Sequence, residues 1–312
     1  MSADRFKPLL DREFLKGLLH YEYLDYQNGG HDEALKQRLS DWAMRELKRE
    51  TQAEASFVGR FFVETWGYRE DGKGGDSFNL HPKFPIPGAG QTGNRGEADL
   101  GIGVFGAGRP EIPQVVCEFK DVKSGLDKPQ NRKGNNRSPV MQARDYLWNA
   151  RRNLRGNEAV QPRFVIVTDM DEFRLYRWDG FPDRYLRFRI NPDNQADFIR
   201  DAMGGPSLLG DDEAARFERF LFWRLFQADM LLSDAGRTQL ERLIARPRKE
   251  ARRRFLRRIS SLSRNADPRD PAASAGARHK GRRCAAGTEA ARPVDLRDVR
   301  RGHGPARRIP AE

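Results

Sequence analysis

Apolar residues recur at helical spacing over residues 9–24 and 32–50, the second stretch through Leu35, Leu39, Trp42 and Leu47, and Gly29-Gly30 divides the two. Two leading helices are therefore predicted. A third is predicted over about 52–66, where Phe57, Val58, Phe61, Phe62 and Thr65 form one stripe that Gly67 ends. Between Gly72 and Gly96 the chain is rich in Gly and Pro, and only Phe78–Phe84 alternates as a strand does, so most of this region reads as loop. Ala98–Phe105 and Gln114–Lys120 read as two short strands joined by a turn at Gly106–Pro110. A polar loop covers 121–137. Ser138 and Pro139 then supply the N-cap and first turn of a helix to about 153.

Arg163–Thr168 is an almost continuous apolar run, the mark of a central buried strand, and Glu172–Trp178 and Tyr185–Ile190 alternate beside it. Helices are expected at about 194–203, at 211–228 with Phe217, Phe220, Phe222, Trp223 and Phe226, and through 229–262. The order α-β-β-β-α-β-β predicts an α/β fold: a central mixed sheet flanked by helices, with added helices at both ends. The chain divides on this reading into a helical lead (1–50), a core (51–190), a helical extension (191–262) and a tail (263–312).

The net charge of +12 belongs to the tail. From Arg246 onward there are 20 basic against 7 acidic residues, which leaves 37 against 38 before it. Any nucleic-acid contact by the first 245 residues must therefore come from local patches. Beyond Phe255 no Phe, Trp or Tyr occurs, so the tail lacks the means to build a core. It reads either as a disordered basic tail or as a segment out of frame with a longer ancestral gene. Cys117 and Cys284 lie far apart in unlike sequence, which supports neither a disulfide framework nor a zinc site, and Cys117 reads as a buried strand thiol. The longest apolar runs, Phe164–Thr168 and Phe220–Phe226, fall far short of a membrane span, and the start of the chain lacks a signal-peptide pattern. A cytoplasmic chain with no membrane partner is expected.

The candidate chemistry lies in Gly96-Glu97-Ala98-Asp99, followed after eighteen residues by Glu118-Phe119-Lys120. Glu118 and Lys120 stand two apart on a strand and project from one face, and Asp99 at the start of the neighbouring strand can converge on them. Two carboxylates suit a hard cation such as Mg²⁺, and an adjoining lysine can act on the cation's water or on a phosphate. A strand with a polar solvent face yields the same letters. Three features favour a site. Val115, Val116, Cys117 and Phe119 embed the charges in apolar surroundings, where an uncompensated carboxylate is costly. Gln142 and Tyr146 share one face of the next helix. Glu54 sits on the apolar stripe of the earlier helix, an odd place for an acid without a partner.

These residues resemble the PD-(D/E)XK nuclease superfamily. Ala98-Asp99-Leu100-Gly101, Cys117–Asp121, Ser124–Asn131, Tyr146-Leu147-Trp148-Asn149 and Thr168-Asp169 further resemble the N-terminal nuclease region of type IIG restriction-modification enzymes, over roughly residues 50–260. The resemblance implies a restriction-endonuclease-like layered fold, with residues 51–190 as the nuclease core and double-stranded DNA as substrate. It implies Asp99 and Glu118 as Mg²⁺ ligands, Lys120 at the attacking water, Gln142 and Tyr146 near the scissile phosphate, and Glu54 near the metal. It also implies a separate methyltransferase or specificity subunit as a partner. The longer relatives carry an Asn-Pro-Pro-aromatic methyltransferase motif, whose nearest approach here, Asn191-Pro192-Asp193-Asn194, reads as a turn.

Lys123, Lys128, Arg132, Lys133 and Arg137 form the one basic patch beside the proposed centre, suited to phosphate contacts or simply to a solvated loop. Gly101–Gly106 matches a dinucleotide fingerprint by letter but lacks the helix that must follow it. His20, His31 and His81 show no ligand spacing. Two readings remain: a Mg²⁺-dependent DNA endonuclease domain of a restriction or phage-defence system, and a truncated, noncatalytic remnant of a restriction-modification enzyme that binds DNA weakly.

Overall fold

The elements of this computed structural model run β1 (Lys7–Pro8), α1 (Arg12–Leu18), α2 (His20–Asn28), α3 (His31–Ala43), α4 (Glu50–Phe57) with a π-helical continuation (Val58–Val63), β2 (Ser77–Ile86), β3 (Gly96–Gly106) and β4 (Val115–Phe119). They continue through α5 (Pro139–Asn153), β5 (Phe164–Thr168), β6 (Glu172–Arg177), β7 (Arg184–Arg189), α6 (Glu213–Leu225), α7 (Ala228–Leu231) and α8 (Gln239–Ala245). The structure describes residues 7–45, 50–72, 77–90, 94–121, 125–130, 136–154, 160–191 and 206–246, all within the compact unit Met1–Ile259. The expected helix at 194–203 and the tail lie outside them.

The strands form one mixed sheet in the order β1-β7-β6-β5-β4-β3-β2. β2, β3 and β4 pair antiparallel, β4 and β5 parallel, β5, β6 and β7 antiparallel, and β1 closes the far edge parallel to β7. The one parallel junction in the middle needs a crossover, and α5 supplies it. Ser138 caps α5 by accepting from the Met141 amide at 3.3 Å, with Pro139 at its first turn, as its sequence predicts.

Strand alternation divides the core. Val116, Val165, Val167 and Tyr176 face α5 and pack with its Ala143, Tyr146, Leu147 and Ala150. Val115, Cys117, Phe119, Ile166, Phe173, Leu175 and Phe188 face the opposite layer, built from α1–α4 and α6–α8. Burying β5 on both faces is why it reads as an almost unbroken apolar run; β4 is buried likewise, yet carries the charged Glu118. Rings dominate the larger layer: Phe57 meets Phe119 at 5.4 Å between centroids, and Phe173 meets Phe222 at 4.9 Å. The buried indole of Trp42 donates to Met170 O at 2.9 Å, and Tyr68 donates to Phe226 O at 2.8 Å, which satisfies the polar atoms of side chains recruited for bulk.

The helical lead and the helical extension are therefore not separate bodies. Both cover one apolar sheet face, and the buried Arg219 of α6 grips Asp32 of α3 through two bonds of 2.8 and 2.7 Å. Other boundaries differ from the sequence reading for local reasons. The stretch 9–24 breaks at Leu19 into α1, capped by Asp11, and α2. The stretch 229–262 breaks after Leu231, and a capping box of Thr238 and Glu241 starts α8 anew. β2 outruns the predicted strand and passes through Pro82 and Pro85, which an edge strand tolerates because one side of it needs no ladder donor.

Candidate active site

The site forms where β3 and β4 part. Their pairing ends at Leu100↔Cys117, and the same register continued one step sets Asp99 opposite Glu118. On the other side of β3, Pro82↔Leu100 and Phe84↔Ala98 set Lys83 opposite Asp99. Lys83, Asp99 and Glu118 thus make a row across three strands. Opposite residues of an antiparallel pair share a face and stand close enough to interact.

The contacts bear this out. At the parting point the Phe119 amide donates to Asp99 Oδ2 at 2.7 Å, so a side chain takes the place of a ladder carbonyl. Asp99 Oδ1 accepts from Lys83 Nζ at 2.8 Å, and Lys83 also donates to Glu54 at 3.0 Å. Glu54, placed by α4, therefore has its partner: the acid on the apolar stripe answers a lysine from β2. Glu118 is 1% exposed and ion-paired with Lys120. Lys120, held by its amide on Thr168 O at 2.9 Å, also donates from Nζ to Phe119 O at 2.8 Å. A carboxylate and a carbonyl thus converge on one positive centre.

α5 closes this side of the sheet. Gln142 Nε2 donates to Tyr146 OH at 2.8 Å, while Gln142 Oε1 is buried with no hydrogen-bond partner among the described residues. Burial, and then the nearby charge of Glu118, push the Tyr146 hydroxyl up to about 12, with Asp99 contributing in the same sense. Tyr146 is therefore a protonated donor at neutral pH, close to both carboxylates. Burial first, then Asp99 and Glu118, also push the Cys117 thiol well up, so the buried strand cysteine is no nucleophile.

Asp99, Glu118, Lys120, Gln142, Tyr146 and Glu54 are thus brought together by α4, β3, β4 and α5. No family model, no curated protein and no solved structure matches this chain. What the site can do rests on its own geometry.

The basic patch is described only in part. Lys128 is exposed, Arg137 is ion-paired with Asp145, and Lys123, Arg132 and Lys133 lie outside the described residues. The segment 125–130 is pinned against α5 by buried Leu126 and to β6 by Asp127, which accepts two bonds of 2.8 Å from Arg174. Thr168 and Asp169 have a turn role: Thr168 Oγ1 accepts from the Met170 amide and Asp169 Oδ1 from the Glu172 amide, both at 2.8 Å. The Gly101–Gly106 run lies inside β3, and a Cβ on Gly101 would meet the Phe84 ring at 2.5 Å, so its glycine serves close packing. His31 stacks on Trp223 and His81 abuts Phe84, so both are packing rings.

Lys83 is the residue the sequence reading missed. Its only signal is a lone cation at a non-apolar position of a strand between two prolines. Its place opposite Asp99 depends on a hairpin register that the long connection after Ile86 conceals.

Among the described residues no group of three His, Cys, Asp or Glu side chains is arranged to hold a metal. Glu118 and the Phe119 carbonyl converge on Lys120 Nζ, and Asp99 on the neighbouring strand accepts from the Phe119 amide and from Lys83; all three donors are hard oxygens, a set that suits Mg²⁺. No described helix is long and apolar enough to cross a membrane.

Proposed function

We propose that this chain carries a Mg²⁺-dependent DNA endonuclease domain of the PD-(D/E)XK kind, with a restriction-endonuclease-like fold, serving a restriction or phage-defence system. One observation carries the reading: just beyond the last β3–β4 pair Asp99 accepts from the Phe119 amide, while Lys120 bonds to Glu118 and to the Phe119 carbonyl, which gathers two acids and a lysine where the strands separate. The β2-β3-β4, α5, β5 order, with its central parallel pair, supports the fold assignment.

Asp99, Glu118 and the Phe119 carbonyl would hold the ion. Magnesium, when bound, supplies Lewis-acid polarisation of the scissile phosphate and lowers the pKa of a water in its shell. Lys120 has three ammonium donors; two go to Glu118 and Phe119, and the third would serve the incoming water or a phosphate oxygen. Tyr146 accepts from Gln142 and so keeps its own proton to donate to a phosphate oxygen as negative charge builds there. In the net step a water oxygen bonds to phosphorus, a bond from phosphorus to a sugar oxygen breaks, and that oxygen takes up a proton. Lys128, and the lysines and arginines of the neighbouring loop, would contact the duplex backbone without reading sequence.

Incubation of supercoiled plasmid with the purified chain and Mg²⁺ tests this, beside the near-isosteric variants Asp99→Asn and Lys120→Met. Wild type is expected to nick or linearise the plasmid and each variant to do so at least about a hundredfold more slowly. Equal rates for all three, in folded proteins, refute the assignment. Cleavage that requires added S-adenosylmethionine or a second subunit identifies a dependent cleavage module.

A further inference from the structure

We infer that Lys83 is a built-in cation that takes the place of a second divalent ion, so that the site holds one ion, at Asp99 and Glu118, where many phosphodiester-cleaving centres hold two. The inference rests on the magnesium reading above and concerns how many ions that site admits.

Position is the first ground. Two-metal centres place their ions about 3.5–4 Å apart, bridged by a shared carboxylate. Asp99 is the carboxylate here that bonds both ways, through Oδ2 to the Phe119 amide beside Glu118 on β4 and through Oδ1 to Lys83 on β2. The point on its outer side, shared with Glu54, is filled: Lys83 Nζ lies 2.8 Å from Asp99 Oδ1 and 3.0 Å from Glu54. A divalent ion bridging the same oxygens must occupy the same space.

Charge is the second ground. Among the ion pairs of the described residues, Glu54, Asp99 and Glu118 set three negative charges against the ammonium groups of Lys83 and Lys120. A single divalent ion gives these five groups more positive than negative charge, suited to receiving a phosphate. A second ion would add two further positive charges beside two resident cations, and like charges that close disfavour its entry.

Backbone conformation is the third. Lys83 sits at φ +50, in the left-handed region that side-chain-bearing residues avoid, within an otherwise extended edge strand. Glycine would relieve that strain. What the lysine adds in exchange is the ammonium that joins α4 to β3.

Counting bound Mn²⁺ on the full chain by equilibrium dialysis, with free ion read by electron paramagnetic resonance, tests the inference apart from catalysis. Wild type is expected to bind one ion per chain and Lys83→Met two, while Lys83→Met combined with Glu54→Gln returns to one. Lys83→Gly, in which the left-handed φ is unstrained, repeats the measurement and should also bind two. One ion in wild type and in both Lys83 variants, with plasmid cleavage retained, overturns the inference and leaves the nuclease reading standing. Two ions in wild type, or none in wild type with one in the variants, overturns the inference as well. No ion in any of the proteins sinks both readings together.

Discussion

Replacing Lys120 with Met probes whether the site is an electrostatic assembly, because it removes the ammonium while keeping nearly all of the side-chain volume. The side chains of Lys120 and Glu118 are 5% and 1% exposed, so solvent screening gives little relief when one partner is removed. Breaking a buried ion pair from one side costs about 3–5 kcal/mol, since the remaining charge keeps its desolvation penalty. A domain of this size loses about 2–4 °C of melting temperature per kcal/mol, which sets the expected fall for Lys120→Met at roughly 6–20 °C. The assay is thermal unfolding followed by circular dichroism in excess chelator, so that no divalent ion replaces the lost charge. Two companions make the result specific. Adding Glu118→Gln to the variant should recover most of the loss, because the offending charge goes with it. Adding Mg²⁺ should raise the melting temperature of Lys120→Met more than that of wild type, because the ion binds the folded carboxylates alone. A single variant that melts within about 2 °C of wild type in chelator, or a double variant as unstable as the single one, refutes the argument.

Two further predictions address the frame around the site. Asp32→Ala leaves the guanidinium of Arg219, 1% exposed, without its bidentate partner, and should cost about 3–5 kcal/mol in urea unfolding while leaving the number of bound Mn²⁺ ions unchanged. Glu172 concerns pH. Burial alone would raise its carboxyl, but the guanidinium groups of Arg174 and then Arg187 outweigh that and hold it at about 2, below its ordinary 4.5. A depressed acid contributes stability above its unfolded value and loses it as pH falls through the folded one. Between pH 6 and pH 2 wild type should therefore lose about 3 kcal/mol more stability than Glu172→Gln, most of it below pH 4.5; a difference between the two that stays constant with pH contradicts this account.

What was legible in the sequence follows the range of the interactions. Ser138-Pro139 marks the start of α5 because a cap and a fixed φ act within one turn. β5 is legible because burial on both faces leaves no polar position to interrupt Phe164–Thr168. The pairing of Glu118 with Lys120 is legible in principle because residues two apart on a strand share a face. The junction at Leu19 was not, since α1 and α2 each continue the same apolar spacing and only their packing separates them. Nor was the break after Leu231, where helix-compatible residues yield to a new cap at Thr238.

Taken alone, the chain's residues determined the alternation of sheet and helix, the acid-acid-lysine triplet and the amphipathic helix that carries Gln142 and Tyr146, because each is written in spacings of two to four residues. Tertiary structure alone decided that Lys83 stands across from Asp99, that Glu54 reaches the same lysine, and that the first and last helices share one core. Strand register and helix docking are set by contacts between residues far apart in the chain, such as Lys83 with Asp99 and Asp32 with Arg219, and no local pattern encodes them.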